Sequence, residues 1–133
     1  MFAQLSTERL LLQVMNQDDH EFVKELVNTE GWIRFIGDRN IHSEEDARKY
    51  IDKILSNTDI FYWVVRIKED MTAIGIITLI KRSYLDHHDL GFAFLPSSQG
   101  KGYAKESAEL IIDKTREDLK YKTPCGGKGL VVI

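Results

Sequence analysis

The sequence has little cysteine, no long apolar run and no basic excess, and each absence excludes a class of protein. Cys125 is the only cysteine among 133 residues, so the chain forms no internal disulfide and no zinc-type cysteine cluster. We therefore expect a reducing, cytoplasmic setting. No apolar run reaches the roughly 18 residues of a membrane span, and the N-terminal residues lack a signal peptide's apolar core. The net charge of −3 argues against a nucleic-acid partner.

The rest of the composition is that of an ordinary soluble globular protein. Hydrophobic residues make up 43% and charged residues 29% of the chain, which is enough apolar material for a core of average size. A chain of this length is expected to form one domain and can bury about two thirds of its unfolded surface. We therefore expect one domain over residues 1–122, followed by an atypical tail over residues 123–133.

An opening strand and two amphipathic helices are predicted in the first half of the chain. Residues 10–14 are apolar and strand-like, and a helical stripe follows over residues 22–27, which we expect to end at or just before Gly31. Ser43 is a good N-cap for the second helix. Residues 32–41, between the helices, carry bulky apolar side chains and form either a loop packed on the core or a wall of a substrate pocket.

Three further strands complete the predicted sheet. Residues 61–67 and 73–80 are rich in β-branched and aromatic residues and are joined by a short polar turn, so they pair antiparallel. Gly75, within the second of these strands, indicates a bulge or a close neighbour. With the strand at residues 90–94, the order of elements is β-α-α-β-β-β-α. The predicted fold class is α+β with a mainly antiparallel sheet.

Residues 90–115 form the centre of the chain and are typical of a strand, a glycine loop and a helix. The strand ends at Pro96, and Gly100 and Gly102 immediately precede a helical stripe. A glycine loop that opens a helix presents free backbone N–H groups at the positive end of the helix dipole, which favours a phosphate group. The spacing of a nucleotide P-loop is absent, and the preceding hairpin disfavours a dinucleotide fold.

The same stretch resembles a known family of acetyltransferases. Residues 99–104, QGKGYA, resemble the Q/R-x-x-G-x-G/A acetyl-CoA motif of the GNAT N-acetyltransferases. The wider set of elements resembles the subgroup that acetylates the N-termini of ribosomal proteins, and the resemblance extends over roughly residues 5–121. The segments that carry it besides the motif are residues 7–12, 43–51, 61–63, 74–75 and 89–92.

The resemblance implies acetyl-CoA as co-substrate and no metal. In that family the strand before the loop splays from its neighbour, and its free backbone groups pair with the pantetheine arm like an added strand. The amides of the glycine loop surround the pyrophosphate, because a side chain at the glycines would hold the backbone away from the phosphates. The residues that match these cofactor contacts are Phe92, Ala93, Phe94, Gln99, Gly100, Lys101, Gly102, Tyr103, Ala104 and Lys105.

The implied chemistry is direct attack of an amine on the thioester within a ternary complex, with a backbone N–H near Phe94 polarising the carbonyl oxygen. Asp89, where relatives often carry Glu, is the candidate base; the alternative is a solvated carboxylate at a strand end. His87 or His88 could serve instead, because an imidazole titrates near neutrality. Tyr84 and Asp86 are candidates for the acceptor side, and the acceptor is a protein N-terminus or a small amine.

The tail departs from the family pattern. After the motif helix the family continues with a strand, a helix and a hairpin, whereas residues 123–133 are glycine-rich with a possible strand at residues 130–133. We therefore expect the C-terminal strands and helix to be missing or replaced, and a second copy of the chain to cover the edge of the central strand, giving a homo-oligomer. The alternative function is a truncated, inactive CoA-binding or dimerisation module.

Overall fold

The computed structural model describes residues 4–81, 88–119 and 131–132. It contains six strands and four α-helices within these ranges, with two short 3₁₀ turns at Gln17–Asp19 and Pro96–Ser98. In chain order they are β1 (Gln4–Ser6), β2 (Leu10–Val14), α1 (His20–Val27), α2 (Glu30–Phe35), α3 (Glu44–Ser56), β3 (Ile60–Ile67), β4 (Ala73–Lys81), β5 (His88–Phe94), α4 (Tyr103–Leu119) and β6 (Val131–Val132).

The strands form one six-stranded sheet in sequence order, β1 to β6. Neighbours from β1 to β5 are antiparallel, whereas β6 runs parallel to β5. The predicted α+β class and the mainly antiparallel sheet are therefore confirmed. None of the helices in the described part of the chain has the length and apolar character that crossing a bilayer requires.

Helices cover both faces of the sheet because side chains of successive strand residues point to opposite faces. On one face, Trp63, Leu90 and Phe92 pack in the same cluster as Ala108 and Ile111 of α4. On the other face, Val64, Ile76 and Ala93 pack with the buried stripes of α1 and α3. The second of these stripes consists of Ala47, Ile51 and Ile54. The strand β5 therefore lies between α4 and the N-terminal helices.

The segment between the two predicted helices contains an additional helix, α2, which the sequence analysis did not predict. Thr29 caps it by accepting a hydrogen bond from the backbone N–H of Trp32 at 3.3 Å. Gly31 lies inside α2 and does not end α1, whose last residue is Val27, so the predicted role of Gly31 was wrong. Trp32 and Ile41 are 3% and 2% exposed, and the interpretation as a segment packed on the core holds for both.

Two local predictions are confirmed by the geometry. Ser43 caps α3, because its hydroxyl accepts a hydrogen bond from the N–H of Asp46 at 3.1 Å. The pairing of β3 with β4 shifts register between Val65 and Arg66, which is a bulge beside Gly75. A Cβ on Gly75 would lie 2.7 Å from the carbonyl oxygen of Ala93, so the close neighbour exists as well.

The sheet has one strand more at each end than the predicted order β-α-α-β-β-β-α. The strand β1 precedes the expected opening strand and pairs with it through Leu5 and Leu12. At the other end, the strand suggested for residues 130–133 is present as β6, where Val131 and Val132 pair with Gly91 and Phe92. The described part of the tail therefore supplies a short neighbour to β5.

Candidate active site

The glycine loop between β5 and α4 has the backbone conformation that its sequence suggests. Gly100 and Gly102 have φ angles of 78° and 80°, a left-handed region that residues with a side chain rarely adopt. A Cβ on Gly100 would meet no atom of the described residues within 4 Å. Glycine is therefore favoured here by backbone conformation and not by crowding. The carbonyl of Gly102 accepts a hydrogen bond from the N–H of Glu106 at 3.0 Å, and this bond lies at the start of α4.

A cleft of about 450 Å³ lies over this loop and the first turn of α4. Seven of the ten residues predicted to contact a cofactor line it, together with Ser98. Lys101 belongs to the same loop and is exposed, whereas Phe92 and Ala93 lie further back along β5 and are buried. The seven residues are Phe94, Gln99, Gly100, Gly102, Tyr103, Ala104 and Lys105.

At the end of β5, some backbone N–H and C=O groups point away from β4, toward the outer edge of this strand. The N–H of Leu95 donates to the carbonyl of Ile74 in β4 at 2.8 Å. Alternate residues of an antiparallel strand direct their backbone N–H and C=O groups to opposite sides. The backbone groups of Ala93 therefore point toward β4, and the backbone groups of Phe92 and Phe94 point away from β4. Described pairing on the far side is limited to Gly91 and Phe92. The edge beyond Phe92 is where an extended ligand could add as a strand.

The side chain of Gln99 connects the strand end to the loop. Its Nε2 donates to the carbonyl of Phe94 at 3.0 Å, across the 3₁₀ turn at Pro96–Ser98. The leading glutamine of the motif therefore fixes the distance between the strand and the glycines. This contact occupies the carbonyl of Phe94 and leaves its N–H directed to the open edge.

Positive potential at the cleft comes from the N-terminus of the 17-residue helix α4 and from two lysines. Lys105 is 82% exposed and its Nζ lies 4.0 Å from Glu109, which is a weak surface pair. Lys101 is exposed in the loop. Backbone amides, the helix dipole and these two side chains can together bind an anionic ligand.

Arg9 and Glu106 form an ion pair directly behind the loop, and no local sequence pattern indicated it. Arg9 Nε and Nη2 each lie 2.8 Å from Glu106 Oε1, and the hydroxyl of Thr7 donates to Glu106 Oε2. Burial is the largest influence on the pKa of Glu106 and raises it. The hydrogen bonds from Thr7 and Arg9 and the charge of Arg9 outweigh burial, so the pKa lies below its ordinary value.

A second cleft of about 210 Å³ adjoins the first, and both are lined by Phe94 and Gln99. Its other wall is formed by α2, with Glu30, Gly31 and Arg34 among the lining residues. Of the two interpretations of residues 32–41, packing on the core is confirmed for Trp32. Arg34 lines the second cleft, and the role of this segment as a wall of a substrate pocket stays a prediction.

The predicted catalytic candidates are only partly within the described structure. Asp89 lies in β5 opposite Ile80, and His88 opposite Lys81. Tyr84, Asp86, His87 and Cys125 lie outside the described residues. Within the described ranges, no group of three or more His, Cys, Asp or Glu side chains is arranged to hold a metal ion.

Comparison with known proteins identifies the family. The sequence model described as "Acetyltransferase (GNAT) domain" matches residues 9–127, so the chain belongs to the GNAT acetyltransferase family. The "Uncharacterized N-acetyltransferase YnaD" of Bacillus subtilis (strain 168) is 28% identical over 109 residues, which are 82% of this chain and 63% of that protein. The chain thus spans less than two thirds of the length of this relative.

Two solved structures share the fold. Spermidine N-acetyltransferase from Vibrio cholerae, in complex with CoA and spermine, matches with a TM-score of 0.71 and 20% identity, over 86% of this chain and 68% of that one. Ribosomal-protein-S5-alanine acetyltransferase from Vibrio fischeri matches with a TM-score of 0.64 and 16% identity, over 90% and 70% of the two chains. At these identities the likeness establishes the fold alone, and it agrees with the predicted GNAT-like sheet.

Proposed function

We propose that the chain is an acetyl-CoA-dependent N-acetyltransferase that acts on a primary amine. One observation carries the proposal: seven residues matching the family's cofactor motif line a single cleft at the N-terminus of α4. Two of them are glycines in the left-handed conformation. Such a loop brings N–H groups close to a phosphate without side chains in the way. Membership in the GNAT family supports acetyl-CoA as the ligand.

In the proposed reaction both substrates are bound together. The nitrogen of the amine attacks the carbonyl carbon of the thioester, the carbon–sulfur bond breaks, and the thiolate leaves and takes up a proton. The amine loses a proton, directly or through water, to a base for which Asp89 is the candidate. The N–H of Phe94 is the candidate donor to the developing oxyanion. Orientation supplies the main acceleration, up to about 7–11 kcal/mol in favourable cases.

Two acceptor classes fit the proposal, and the fold is compatible with both. The Vibrio cholerae structure is a spermidine N-acetyltransferase and the Vibrio fischeri structure is a ribosomal-protein-alanine acetyltransferase. The sequence resemblance to the ribosomal-protein subgroup favours a protein N-terminus. The smaller cleft beside Glu30 and Arg34 is a candidate place for the acceptor, because it adjoins the cofactor cleft at Phe94. We further propose a cytoplasmic location.

The alternative function is a CoA-binding or dimerisation module without turnover, and one observation favours it. The seven residues that support the proposal have a predicted role in binding the cofactor, and that role is the same with or without turnover. Binding with no turnover under any acceptor would support this alternative.

Thermal-shift titration followed by a thiol-release assay separates the two functions. The chain is titrated with acetyl-CoA and with CoA, and release of free thiol is then measured across a panel of N-terminal peptides and small amines. We expect binding of both ligands and acceptor-dependent thiol release, which Asp89→Asn reduces without changing the Kd of acetyl-CoA. Absence of binding would contradict the proposed function.

A further inference from the structure

The turn that precedes β2 is attached to the first turn of α4 by a single carboxylate. Glu106 Oε2 accepts from the hydroxyl of Thr7 and, at 3.4 Å, from the N–H of Arg9. Glu106 Oε1 accepts from the guanidinium of Arg9 at 2.8 Å. The Thr7 hydroxyl in turn accepts from the N–H of Leu10 at 3.0 Å. Glu106 therefore fixes both the backbone and the side chain of Arg9.

Held in this way, Arg9 contacts Lys101 in the glycine loop and Tyr103 at the start of α4, and it lies beside Gly102. Its Nη2 donates to the carbonyl of Lys101 at 3.3 Å, and its Cζ lies 4.6 Å from the centroid of the Tyr103 ring. The same Nη2 is 3.6 Å from the position that a Cβ on Gly102 would occupy. Arg9 is not among the residues that line the cofactor cleft, so it supports the loop from behind.

The contact with the Lys101 carbonyl has a geometric consequence for the next residue. The peptide bond between Lys101 and Gly102 is planar and trans, so its C=O and N–H point in opposite directions. Turning the carbonyl toward Arg9 turns the N–H of Gly102 away from it. The glycines on both sides of Lys101 allow the backbone many conformations. A contact from outside the loop is therefore needed to keep this peptide bond in one orientation.

We propose that Arg9, held by Glu106, positions the peptide bond between Lys101 and Gly102 so that the Gly102 N–H faces the pyrophosphate of acetyl-CoA. This inference rests on the proposed function. It assigns Arg9 a positioning role in cofactor binding, since its own side chain does not contact the ligand. The alternative is that the Arg9–Glu106 pair is a surface ion pair that only attaches the N-terminal hairpin to α4. Such a pair contributes little stability, because Arg9 is 45% exposed.

The test compares ligands that carry different parts of acetyl-CoA. The Kd values of acetyl-CoA, of 3′-phospho-ADP, which retains the pyrophosphate, and of acetyl-pantetheine, which lacks it, are measured for wild type and Arg9→Ala. We expect Arg9→Ala to weaken the binding of acetyl-CoA and of 3′-phospho-ADP by about tenfold, because this is the effect of losing roughly one charge-assisted hydrogen bond. We expect acetyl-pantetheine to change by less than about twofold, because it makes no use of the loop.

Arg48→Ala is the matched control. Arg48 forms an ion pair of 3.0 Å with Glu44 and is 42% exposed, much as Arg9 is, but it lies on α3, on the opposite face of the sheet. We expect wild-type affinity for all three ligands. Arg9→Lys keeps the charge without the forked geometry and is expected to fall between wild type and Arg9→Ala. If Arg9→Ala does not fold, Arg9→Lys and Glu106→Gln carry the same comparison.

Two results would overturn the inference. One is a folded Arg9→Ala chain whose Kd for acetyl-CoA stays within about twofold of wild type while wild type binds normally. The other is an equal loss for acetyl-pantetheine and 3′-phospho-ADP, which would indicate general damage to the domain. If the wild-type chain binds neither acetyl-CoA nor 3′-phospho-ADP, the proposed function fails first and the role of Arg9 fails with it.

Discussion

At the scale of single residues, the chain contains ion pairs whose burial differs greatly. Asp19 and Arg66 pair at 2.6 Å, with side chains 2% and 24% exposed, and Asp19 also accepts from the N–H of Asn16 at 2.8 Å. By contrast, Glu44 in the pair with Arg48 is 63% exposed. Breaking a buried pair leaves an uncompensated charge, whereas an exposed pair is replaced by water.

We therefore predict that Asp19→Ala lowers the free energy of unfolding by about 3 kcal/mol, since it removes the carboxylate that compensates the partly buried charge of Arg66. Glu44→Ala, the control, is expected to cost less than about 0.5 kcal/mol. Urea denaturation of both variants measures the difference. Equal losses in the two variants would show that the Asp19–Arg66 pair does not connect β3 to the start of α1 as described.

The pair between Glu106 and Arg9 predicts a dependence of stability on pH. The pKa of Glu106 is held below its ordinary value of 4.5, so its contribution to stability is present above that pH and is lost as the pH falls through the lowered pKa. We expect Glu106→Gln to be slightly less stable than wild type at pH 7, because the exposure of Arg9 keeps the contribution of the pair small, and we expect this difference in stability to narrow below pH 4.5. Urea midpoints across this range measure it, and a gap independent of pH would contradict the assignment.

At the scale of elements, β4 and β5 fit together only because residue 75 is glycine. A Cβ there would lie 2.7 Å from both the Ala93 carbonyl and the Phe94 ring. We predict that Gly75→Ala destabilises the fold by about 2 kcal/mol, as overpacking does. It should also weaken acetyl-CoA binding, because relief of the clash shifts the end of β5.

Gly91→Ala is the comparison variant on the same pair of strands. Among the described residues, its Cβ would meet only the Thr78 hydroxyl, at 2.9 Å, which can rotate away. We expect a smaller loss of stability than for Gly75→Ala in thermal unfolding and an unchanged Kd for acetyl-CoA. The same loss of affinity in both variants would argue against a special role for the bulge beside Gly75.

The elements also show what a single sequence can and cannot predict. The Ser43 cap, the bulge at Gly75 and the glycine loop are each specified by residues within a few positions of one another, so local patterns were sufficient. The helix α2 was not predicted because Gly31 is typical of a helix end, while Thr29 caps a new helix around it. The Arg9–Glu106 contact joins residues 97 positions apart, and no local pattern encodes that distance.

At the scale of the whole molecule, the described pairing covers a short part of the outer edge of β5. Its pairing with β6 covers Gly91 and Phe92 only, and an uncovered strand edge tends to find a partner. We predict that the chain self-associates, with a second copy along this edge. Light scattering at tens of micromolar protein should report a dimer or larger species, and a monomer at that concentration would contradict the prediction.

Calorimetric titration of wild type and Gly102→Glu with acetyl-CoA tests whether the glycine loop binds the pyrophosphate. Ser56→Glu is the control, because it adds the same charge to an exposed position on α3. We expect saturable binding to wild type and to Ser56→Glu, and a loss of at least about tenfold in Gly102→Glu, since the new carboxylate repels the phosphates within the loop. No binding to wild type, or unchanged affinity in Gly102→Glu, would contradict pyrophosphate binding by the loop.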